Sequence, residues 1–276
     1  MKRINVLLII SVTISLLFIA CNNQPKSATQ KEAAVLKEEN TTYAGDSITM
    51  NAFVVYDENI KGKRPAVLVV PEWWGMNEYV KRRARELAKL GYIAMAIDLY
   101  GNGKLLETPD SAGAYAGQLY KAPQKAKIRI EAAIDKLKTY EQTDAANVAG
   151  IGYCFGGGML LNVARLGTNI KGIVSFHGSL IGTPANKDLL KAKILVCHGS
   201  ADSSVRKEQA DLFKKQMDSI GANSTFKEYA GATHAFSNPD ATATGEKFKM
   251  PIRYNAAADT ASWNDMKIFF EDLFKR

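Results

Sequence analysis

The chain has 276 residues, a mass of 30.2 kDa and 46% hydrophobic residues. That composition can fill the core of one α/β domain of about 230 to 250 residues, and it excludes collagen-like, coiled-coil and disordered proteins. The net charge is +8, but the basic residues are scattered and form no run interleaved with aromatic residues, so we expect no nucleic acid partner. The three cysteines, Cys21, Cys154 and Cys197, are too few for a disulfide framework.

The first residues are predicted to be a targeting signal rather than part of the fold. Lys2 and Arg3 precede an apolar stretch over residues 4–20, which ends in the small residue Ala20 just before Cys21. This pattern resembles a bacterial lipoprotein signal, in which the cysteine is lipidated and becomes the new N-terminus. We therefore expect a signal peptide at 1–20 and a lipid anchor at Cys21 in the cell envelope, at the outer membrane or on the periplasmic face of a membrane. An ordinary cleaved signal and an uncleaved anchor are the alternatives.

The segment after the signal is polar. Residues 22–42 contain few aromatic residues, and we interpret residues 21–43, with the lipidated cysteine, as a flexible tether. Residues 33–38 could form a helical turn, but a segment this short and polar does not fold alone. The folded domain is then expected over residues 44–276.

Within that domain the hydrophobic pattern predicts strands and helices in alternation. The predicted strands are 47–56, 65–70, 92–99, 148–153, 171–176, 192–197 and 224–229. The predicted helices are 78–90, 124–138, 157–166, 205–220 and 263–274. The chain is therefore predicted to have an α/β fold, a mostly parallel twisted sheet with helices on both faces. Functional groups in such a fold are expected at the carboxyl ends of the strands.

The stretch Gly150–Gly158 contains a G-x-C-x-G motif centred on Cys154. It is the cysteine form of the G-x-S-x-G turn, which holds a nucleophile between a strand and a helix. Glycines suit that turn because larger side chains would clash with the strand and the helix, and the helix N-terminus favours a thiolate. The backbone N–H of Phe155 would face a substrate oxyanion. A buried structural cysteine in a glycine-rich turn is the alternative, and Cys197, which lacks such a turn, is expected to pack in the core.

Three histidines are candidates for the base that serves this nucleophile. In enzymes with the related serine turn, the order along the chain is nucleophile, acid, histidine. His234 satisfies that order together with Asp202, which would hold the tautomer of the imidazole while His234 pairs with the thiolate. His177 and His198 directly follow predicted strands, and we expect them to satisfy local backbone groups, although either could line the cleft.

Glu72 is an acid among aromatic residues at the end of the strand 65–70, in the segment Pro71–Gly75 (PEWWG). Burial against tryptophan rings would raise the pKa of its carboxyl group. A surface glutamate that reaches past the tryptophans is the alternative. The backbone N–H of Trp73 is the natural second donor to an oxyanion.

Together these pieces resemble the dienelactone hydrolase family of the α/β-hydrolase fold, over roughly residues 46–275. The motifs that carry the resemblance are Pro71–Gly75, Asp98–Tyr100, Gly152–Gly157, Gly199–Asp202 and Thr233–Phe236. The resemblance implies that Cys154 is the nucleophile, with His234 and Asp202 as its partners, and that Glu72 helps to generate the thiolate when substrate binds. It also implies that the amides of Trp73 and Phe155 donate to the oxyanion.

Two positions depart from the family pattern. The arginine that grips the substrate carboxylate four residues after the histidine is Asn238 here, and the second arginine is replaced by a stretch that offers only Lys104. These departures put the dienelactone substrate in doubt and leave the catalytic inference unchanged. We expect a substrate pocket that includes Asn238 and Lys104 and the aromatic residues Trp74, Tyr100, Tyr153 and Phe236.

The sequence thus predicts an anchored hydrolase that cleaves ester or lactone bonds in small substrates through a Cys-His-Asp triad and a thioester intermediate. We expect no metal and no organic cofactor, and a monomer, although the sequence does not establish the oligomeric state. Within the hydrolases, a carboxylesterase of broad specificity is the alternative. A binding lipoprotein on the same fold without catalysis, and a redox role for Cys154, are the alternatives from other classes.

Overall fold

Strands and helices alternate along most of the chain in the computed structural model, which describes residues 33–275. The strands are β1 Leu36–Gly45, β2 Ile48–Asp57, β3 Arg64–Val70, β4 Ile93–Ile97, β5 Thr143–Tyr153, β6 Gly172–Phe176, β7 Lys193–Gly199 and β8 Ser224–Tyr229. The helices are α1 Glu78–Lys89, α2 Pro109–Lys121, α3 Pro123–Lys138, α4 Phe155–Arg165, α5 Lys207–Ser219, α6 Ala241–Phe248 and α7 Ala256–Leu273. The compact unit that carries this fold begins at Ala34.

The strands form one sheet in the order β1-β2-β4-β3-β5-β6-β7-β8. The β1–β2 and β2–β4 pairs are antiparallel, and all pairs from β4 to β8 are parallel. Because the parallel strands run the same way, their carboxyl ends lie along one edge, where the loops after β3, β5, β7 and β8 meet. The prediction of a mostly parallel α/β sheet is therefore confirmed.

The core lies on both faces of the sheet. Every residue of β3 is buried, and its side chains alternate between two clusters: Ala66, Leu68 and Val70 join one, while Val67 and Val69 join the other. Helices α2 to α5 supply the first cluster, and α1 and α7 supply the second. A fully buried Val or Leu side chain stabilises a fold by about 1.5–3 kcal/mol, so the continuous apolar runs of the central strands form the rigid base of the site.

The predicted tether is wrong over residues 36–43, which form most of strand β1. This strand pairs with β2 from Leu36, opposite Asp57, to Gly45, opposite Ile48. The two connecting residues, Asp46 and Ser47, both have positive φ, 52° and 59°, as a tight two-residue hairpin turn requires. The hydrophobic pattern missed β1 because it is an edge strand whose side chains are mostly exposed, so polar residues occupy both of its faces.

Helices α2 and α6 were not predicted either. Helix α2 begins after Thr108, whose side chain accepts a hydrogen bond from the Ser111 amide, and Pro109 occupies its first turn. Helix α6 is short and carries two threonines and a glycine, which are poor helix formers. Both helices matter for function because each contributes side chains to the candidate site.

The predicted signal peptide at 1–20, the lipidation site Cys21 and the first part of the tether lie outside the described residues. Over residues 33–275, no helix combines the length and the apolar character needed to cross a membrane.

Candidate active site

Cys154 is the one residue between the end of β5 and the start of α4. Its backbone adopts φ 50° and ψ −113°, a left-handed φ that is strained for a residue with a side chain. A Cβ atom on Gly152 would lie 2.5 Å from the backbone of Gly156, and one on Gly156 would collide with the carbonyl oxygen of Val70. The turn therefore requires both glycines of the G-x-C-x-G motif. It places the sulfur at the N-terminus of α4, partly exposed to a cavity.

A continuous line of hydrogen bonds joins Cys154, His234 and Asp202. Nε2 of His234 lies 3.0 Å from Sγ of Cys154, and Nδ1 lies 2.8 Å from Oδ2 of Asp202. The other carboxylate oxygen of Asp202 accepts the amides of Ser204 and Val205 at 2.8 and 3.0 Å. The sequence prediction named these three side chains, and the fold brings them together from the loops after β5, β7 and β8.

The charges of this line support one another. Burial would lower the pKa of His234, but the negative charge of a Cys154 thiolate and the bond to Asp202 outweigh it, so the pKa is raised well above its ordinary value. Burial would raise the pKa of Asp202, but the bonds from His234 and from two backbone amides hold it below its usual range. The arrangement therefore suits an imidazolium that lies between a thiolate and a carboxylate.

Glu72 is buried beside this line and is bound to Asn238. The side-chain amide of Asn238 donates to Oε2 of Glu72 at 2.7 Å. Burial raises the pKa of Glu72 to about 7, although the Asn238 hydrogen bond and the charge of His234 oppose the shift. The carboxyl group therefore changes charge near neutral pH, and its hydrogen-bond partner is the residue that stands where the family pattern has an arginine.

The two expected oxyanion donors are positioned by one tyrosine. Phe155 is the first residue of α4, so its N–H has no acceptor within the helix. The hydroxyl of Tyr100 donates to the carbonyl oxygen of Trp73 at 2.9 Å, and its ring stacks on that of Phe155 with centroids 5.5 Å apart. Tyr100 therefore contacts both residues whose amides would hold an oxyanion, although it does not line the cavity.

The other two histidines lie outside the line. Nδ1 of His177 accepts the N–H of Cys154 at 3.1 Å, and its Nε2 lies 2.8 Å from Oγ of Ser237. Burial and the nearby charge of His234 lower the pKa of His177 well below its ordinary value, so this ring is neutral. His198 is buried against the ring of Phe226, and burial lowers its pKa too. His177 thus satisfies a backbone group, as expected, whereas the ring contact shown for His198 is packing.

Cys197 is buried in the core. Its sulfur accepts a hydrogen bond from the hydroxyl of Tyr229 at 3.4 Å, and burial raises its pKa to about 12. A thiol in this state is a poor nucleophile at neutral pH, and the placement agrees with the expected packing role.

A cavity of about 240 Å³ opens above the sulfur of Cys154. Its walls are mostly apolar. They are formed by Glu72, Trp73, Trp74, Tyr120, Cys154, Ser179, Ser204, Val205, His234, Ala235, Asn238, Ala241, Thr244, Met250, Pro251 and Ile252. The volume is smaller than the roughly 300–1,000 Å³ that is usual for drug-sized ligands, so the site suits a small substrate.

The expected pocket residues fall into two groups. Trp74 and Asn238 line the cavity, whereas Tyr100, Lys104, Tyr153 and Phe236 do not, so the prediction is wrong for these four. Tyr153 and Phe236 are fully buried beneath the site, and the ammonium group of Lys104 lies over the ring of Tyr115. Residues that follow a strand in sequence can point into the core as readily as into a cleft, which explains the errors.

Much of the cavity wall was missed by the sequence analysis. Ser179 and Ser204 follow β6 and β7, so the rule that functional groups gather at strand ends could have found them. Tyr120 on α2 and the segment from Ala241 to Ile252 carried no such signal. Within residues 33–275, no group of three or more His, Cys, Asp or Glu side chains is arranged to hold a metal ion.

The model of the dienelactone hydrolase family matches residues 50–274. A protein of Methylorubrum extorquens named as a carboxymethylenebutenolidase is 30% identical over 63% of this chain and 64% of its own length. One of Escherichia coli K12 with the same name is 25% identical over 84% of this chain and 85% of its own length.

A crystal structure of a dienelactone hydrolase-like promiscuous phosphotriesterase from metagenomic libraries is also similar. It has a TM-score of 0.80 and 30% identity, and the match covers 86% of this chain and 98% of that one. The fold, the family model and these relatives agree on one class of enzyme. The chain therefore belongs to the dienelactone hydrolase family, whose members act as hydrolases on ester or lactone bonds.

Proposed function

We propose that the protein cleaves ester or lactone bonds in small substrates with Cys154 as the nucleophile, through a thioester intermediate. The observation that carries this proposal is the unbroken line from Sγ of Cys154 through His234 to Asp202, placed at the mouth of a small cavity. A sulfur that only packed the core would have no need of a strained backbone, an imidazole partner and access to solvent.

In the first half of the reaction, the thiolate of Cys154 attacks the substrate carbonyl carbon and forms a carbon–sulfur bond. The carbonyl oxygen becomes an oxyanion, and the amides of Trp73 and Phe155 donate hydrogen bonds to it. When the tetrahedral intermediate collapses, the carbon–oxygen bond of the ester breaks and the imidazolium of His234 gives its proton to the leaving oxygen. The alcohol leaves, or, for a lactone, remains attached to the acyl group.

In the second half, water attacks the thioester. The neutral imidazole of His234 takes a proton from the water as the new carbon–oxygen bond forms, and the same two amides hold the second oxyanion. Collapse breaks the carbon–sulfur bond and releases the acid. Cys154 is again a thiolate, and His234 is again an imidazolium, held in orientation by Asp202.

The part that Glu72 plays depends on its hydrogen bond. The cycle itself returns Cys154 to a thiolate, so Glu72 serves only a Cys154 that still carries its proton when substrate binds. To take that proton, as the family resemblance implies, the Glu72 carboxylate must exchange Asn238 for the thiol. With a pKa of about 7, the group can accept a proton from Cys154 or give one back at neutral pH. We propose that this exchange accompanies substrate binding, while His234 remains the group that moves protons to and from the reacting atoms.

Selective alkylation tests the nucleophile. Iodoacetamide should remove hydrolysis of p-nitrophenyl butyrate in step with modification of Cys154, mapped by mass spectrometry, while Cys197 stays unmodified until the protein is unfolded. Cys197 is the internal control because it has the same chemistry without the turn or the histidine. Loss of activity without alkylation of Cys154, or full activity after its alkylation, would rule the proposal out.

We also propose that Cys21 anchors the enzyme to the cell envelope by a lipid. The supporting observation is the apolar stretch at residues 4–20 that ends directly before this cysteine. Metabolic labelling with a fatty acid should tag the wild-type chain and leave a Cys21→Ala variant unlabelled in the soluble fraction. Equal labelling of both chains would exclude Cys21 as the anchor.

A further inference from the structure

The charge of the cavity wall bears on the kind of acyl group that it can hold. Among the described residues that line the cavity, Glu72 and His234 are the acid and the base beside the sulfur of Cys154. His234 is occupied on both ring nitrogens, by Cys154 and Asp202. Over residues 33–275, no lysine or arginine lines the cavity, so an anionic substituent would meet the carboxyl group of Glu72 and the sulfur of Cys154 without a lysine or arginine as its partner.

Two cations near the site, Lys104 and Arg83, make contacts outside the cavity. The ammonium of Lys104 lies 5.7 Å from the centre of the Tyr115 ring and is absent from the described cavity wall. Arg83 is buried and is paired with Asp259 and with the carbonyl oxygen of Ser237. Asn238 also lines the cavity, and its side-chain amide donates to Glu72. A carboxylate brought into this cavity would meet neutral hydroxyl groups, those of Tyr120, Ser179, Ser204 and Thr244, rather than a lysine or arginine among the described wall residues. It would therefore lose its hydration without gaining an ion-pair partner, which is costly.

One side of the cavity, the far wall, is an apolar surface formed by helix α6 and the residues after it rather than by the sheet. Helix α6 and the residues after it contribute Ala241, Met250 and Ile252, which pack with Ala235 as a small cluster separate from the two clusters of the sheet. Trp74 extends this wall, and its ring stacks on Phe248 with centroids 6.0 Å apart. Apolar surface of this kind gains free energy when an alkyl group covers it.

We propose that this wall is the acyl-binding site of the enzyme, and that it selects short, uncharged, apolar acyl groups and rejects acyl groups that carry a carboxylate. The inference rests on the proposed function for the position of the scissile bond, but it concerns binding and can be tested without turnover. The volume of about 240 Å³ sets the small size of the group.

The first experiment measures binding to full-length protein with the Cys154→Ala substitution, which cannot form a thioester. The two probes are 4-methylpentanamide and succinamate, in which an isopropyl group and a carboxylate of similar shape occupy the same end of the molecule. Isothermal titration calorimetry should show binding of the neutral amide at least about 100-fold tighter than binding of the anion. Equal affinities, or no binding of the neutral amide, would overturn the proposal.

The second experiment tests whether one positive charge placed in the cavity wall increases the affinity for the anionic probe. Thr244 lines the cavity, whereas its neighbour Ala243 on α6 is exposed and lies outside the cavity wall. Thr244→Lys should raise the affinity for succinamate by at least about tenfold, while Ala243→Lys, with the same net charge, should leave it unchanged. An equal gain in both variants would mean that the overall charge and not the wall decides, and would overturn the proposal.

Hydrolysis separates this inference from the proposed function. For the wild-type enzyme, kcat/KM for the p-nitrophenyl ester of 4-methylpentanoic acid should be at least about 100-fold above kcat/KM for the p-nitrophenyl monoester of succinic acid. If neither ester is cleaved but the neutral amide still binds selectively, the proposed function fails and the acyl site stands. If the succinate monoester is cleaved equally well, the acyl site fails and the proposed function stands.

Discussion

Cys154 and Cys197 occupy almost the same level of the sheet and have opposite properties. Phe176 pairs with Tyr153 on one side and with Cys197 on the other, and Cys154 is the residue after Tyr153. Cys154 has left its strand through a strained turn, faces a cavity and lies 3.0 Å from a histidine nitrogen. Cys197 remains inside its strand, fully buried, with a tyrosine hydroxyl as its partner. Position on the sheet therefore does not distinguish the two thiols; the turn, the cavity and the histidine partner do.

The largest effect expected from this comparison is the loss of turnover in Cys154→Ala. We expect kcat to fall by at least about 10⁴-fold because the attacking atom is gone. The circular dichroism spectrum should stay unchanged because this small side chain contributes little to the packing of the core. Stopped assays with p-nitrophenyl butyrate measure the loss. Residual activity within tenfold of the wild-type value would show that the two thiols are equivalent after all.

Removal of the negative charge behind the histidine should have the next largest effect. Asp202→Asn keeps the shape of the side chain, but the amide can turn an N–H toward His234 and favour the wrong tautomer, so kcat should fall by about 10²- to 10⁴-fold. Asp265→Asn is the matched control, because Asp265 bonds Tyr229 beside the unreactive thiol. If both variants lose activity equally, the effect comes from the fold and not from the site.

The third prediction concerns Glu72, the buried acid that lines the same cavity as Cys154. The folded-state pKa of Glu72 is about 7 against an ordinary value of 4.5, so between these values the folded state binds more protons than the unfolded state. Stability therefore falls as pH rises from about 4.5 to 7. Glu72→Gln should remove that dependence and stabilise the protein at pH 8 by up to about 3 kcal/mol.

Urea unfolding of Glu72→Gln and wild type at pH 5 and pH 8 measures this difference. Glu246→Gln is the control, since that side chain is exposed on α6. An equal pH dependence in wild type and Glu72→Gln would mean that burial does not set the charge of this carboxyl group.

The smallest effect is expected at the other thiol. Cys197→Ala should leave kcat and KM unchanged and should lower the free energy of unfolding by about 1–2 kcal/mol, because it leaves a small void and removes the acceptor of one of the Tyr229 hydrogen bonds. Chemical unfolding and the ester assay on the same preparation check both parts. A large loss of activity with an intact fold would contradict the division of roles between the two cysteines.

The line from Cys154 through His234 to Asp202 could be predicted from sequence because each of its residues follows a strand. Cys154 and Asp202 follow the largely buried strands β5 and β7, and His234 follows the edge strand β8. Parallel strands bring their carboxyl ends to one edge. The spacing of glycines around Cys154 also follows from local sterics, since Gly152 and Gly156 leave no room for a Cβ atom. These inferences need only the local chain and the direction of the strands.

The remaining features depend on packing that the local sequence does not encode. Strand β1 is polar on both faces, and its pairing with β2 depends on a turn at Asp46 and Ser47 rather than on hydrophobic alternation. The far wall of the cavity comes from α6 and the residues up to Ile252, whose position is set by contacts with the His234 loop, including a bridge between His234 and Ile252.

The small apolar cluster around Ala235, Ala241 and Ile252 bears on how the substrate specificity of such an enzyme can evolve. Ala235, Ala241 and Ile252 pack with Met250 rather than with the sheet, so replacements there remove little of the burial that stabilises the whole domain. Cys154, Asp202 and His234, the residues that we propose carry the chemistry, follow the ends of strands β5, β7 and β8. New substrates can therefore be acquired by drift in residues 241–252, while the reactive machinery stays under its original constraints.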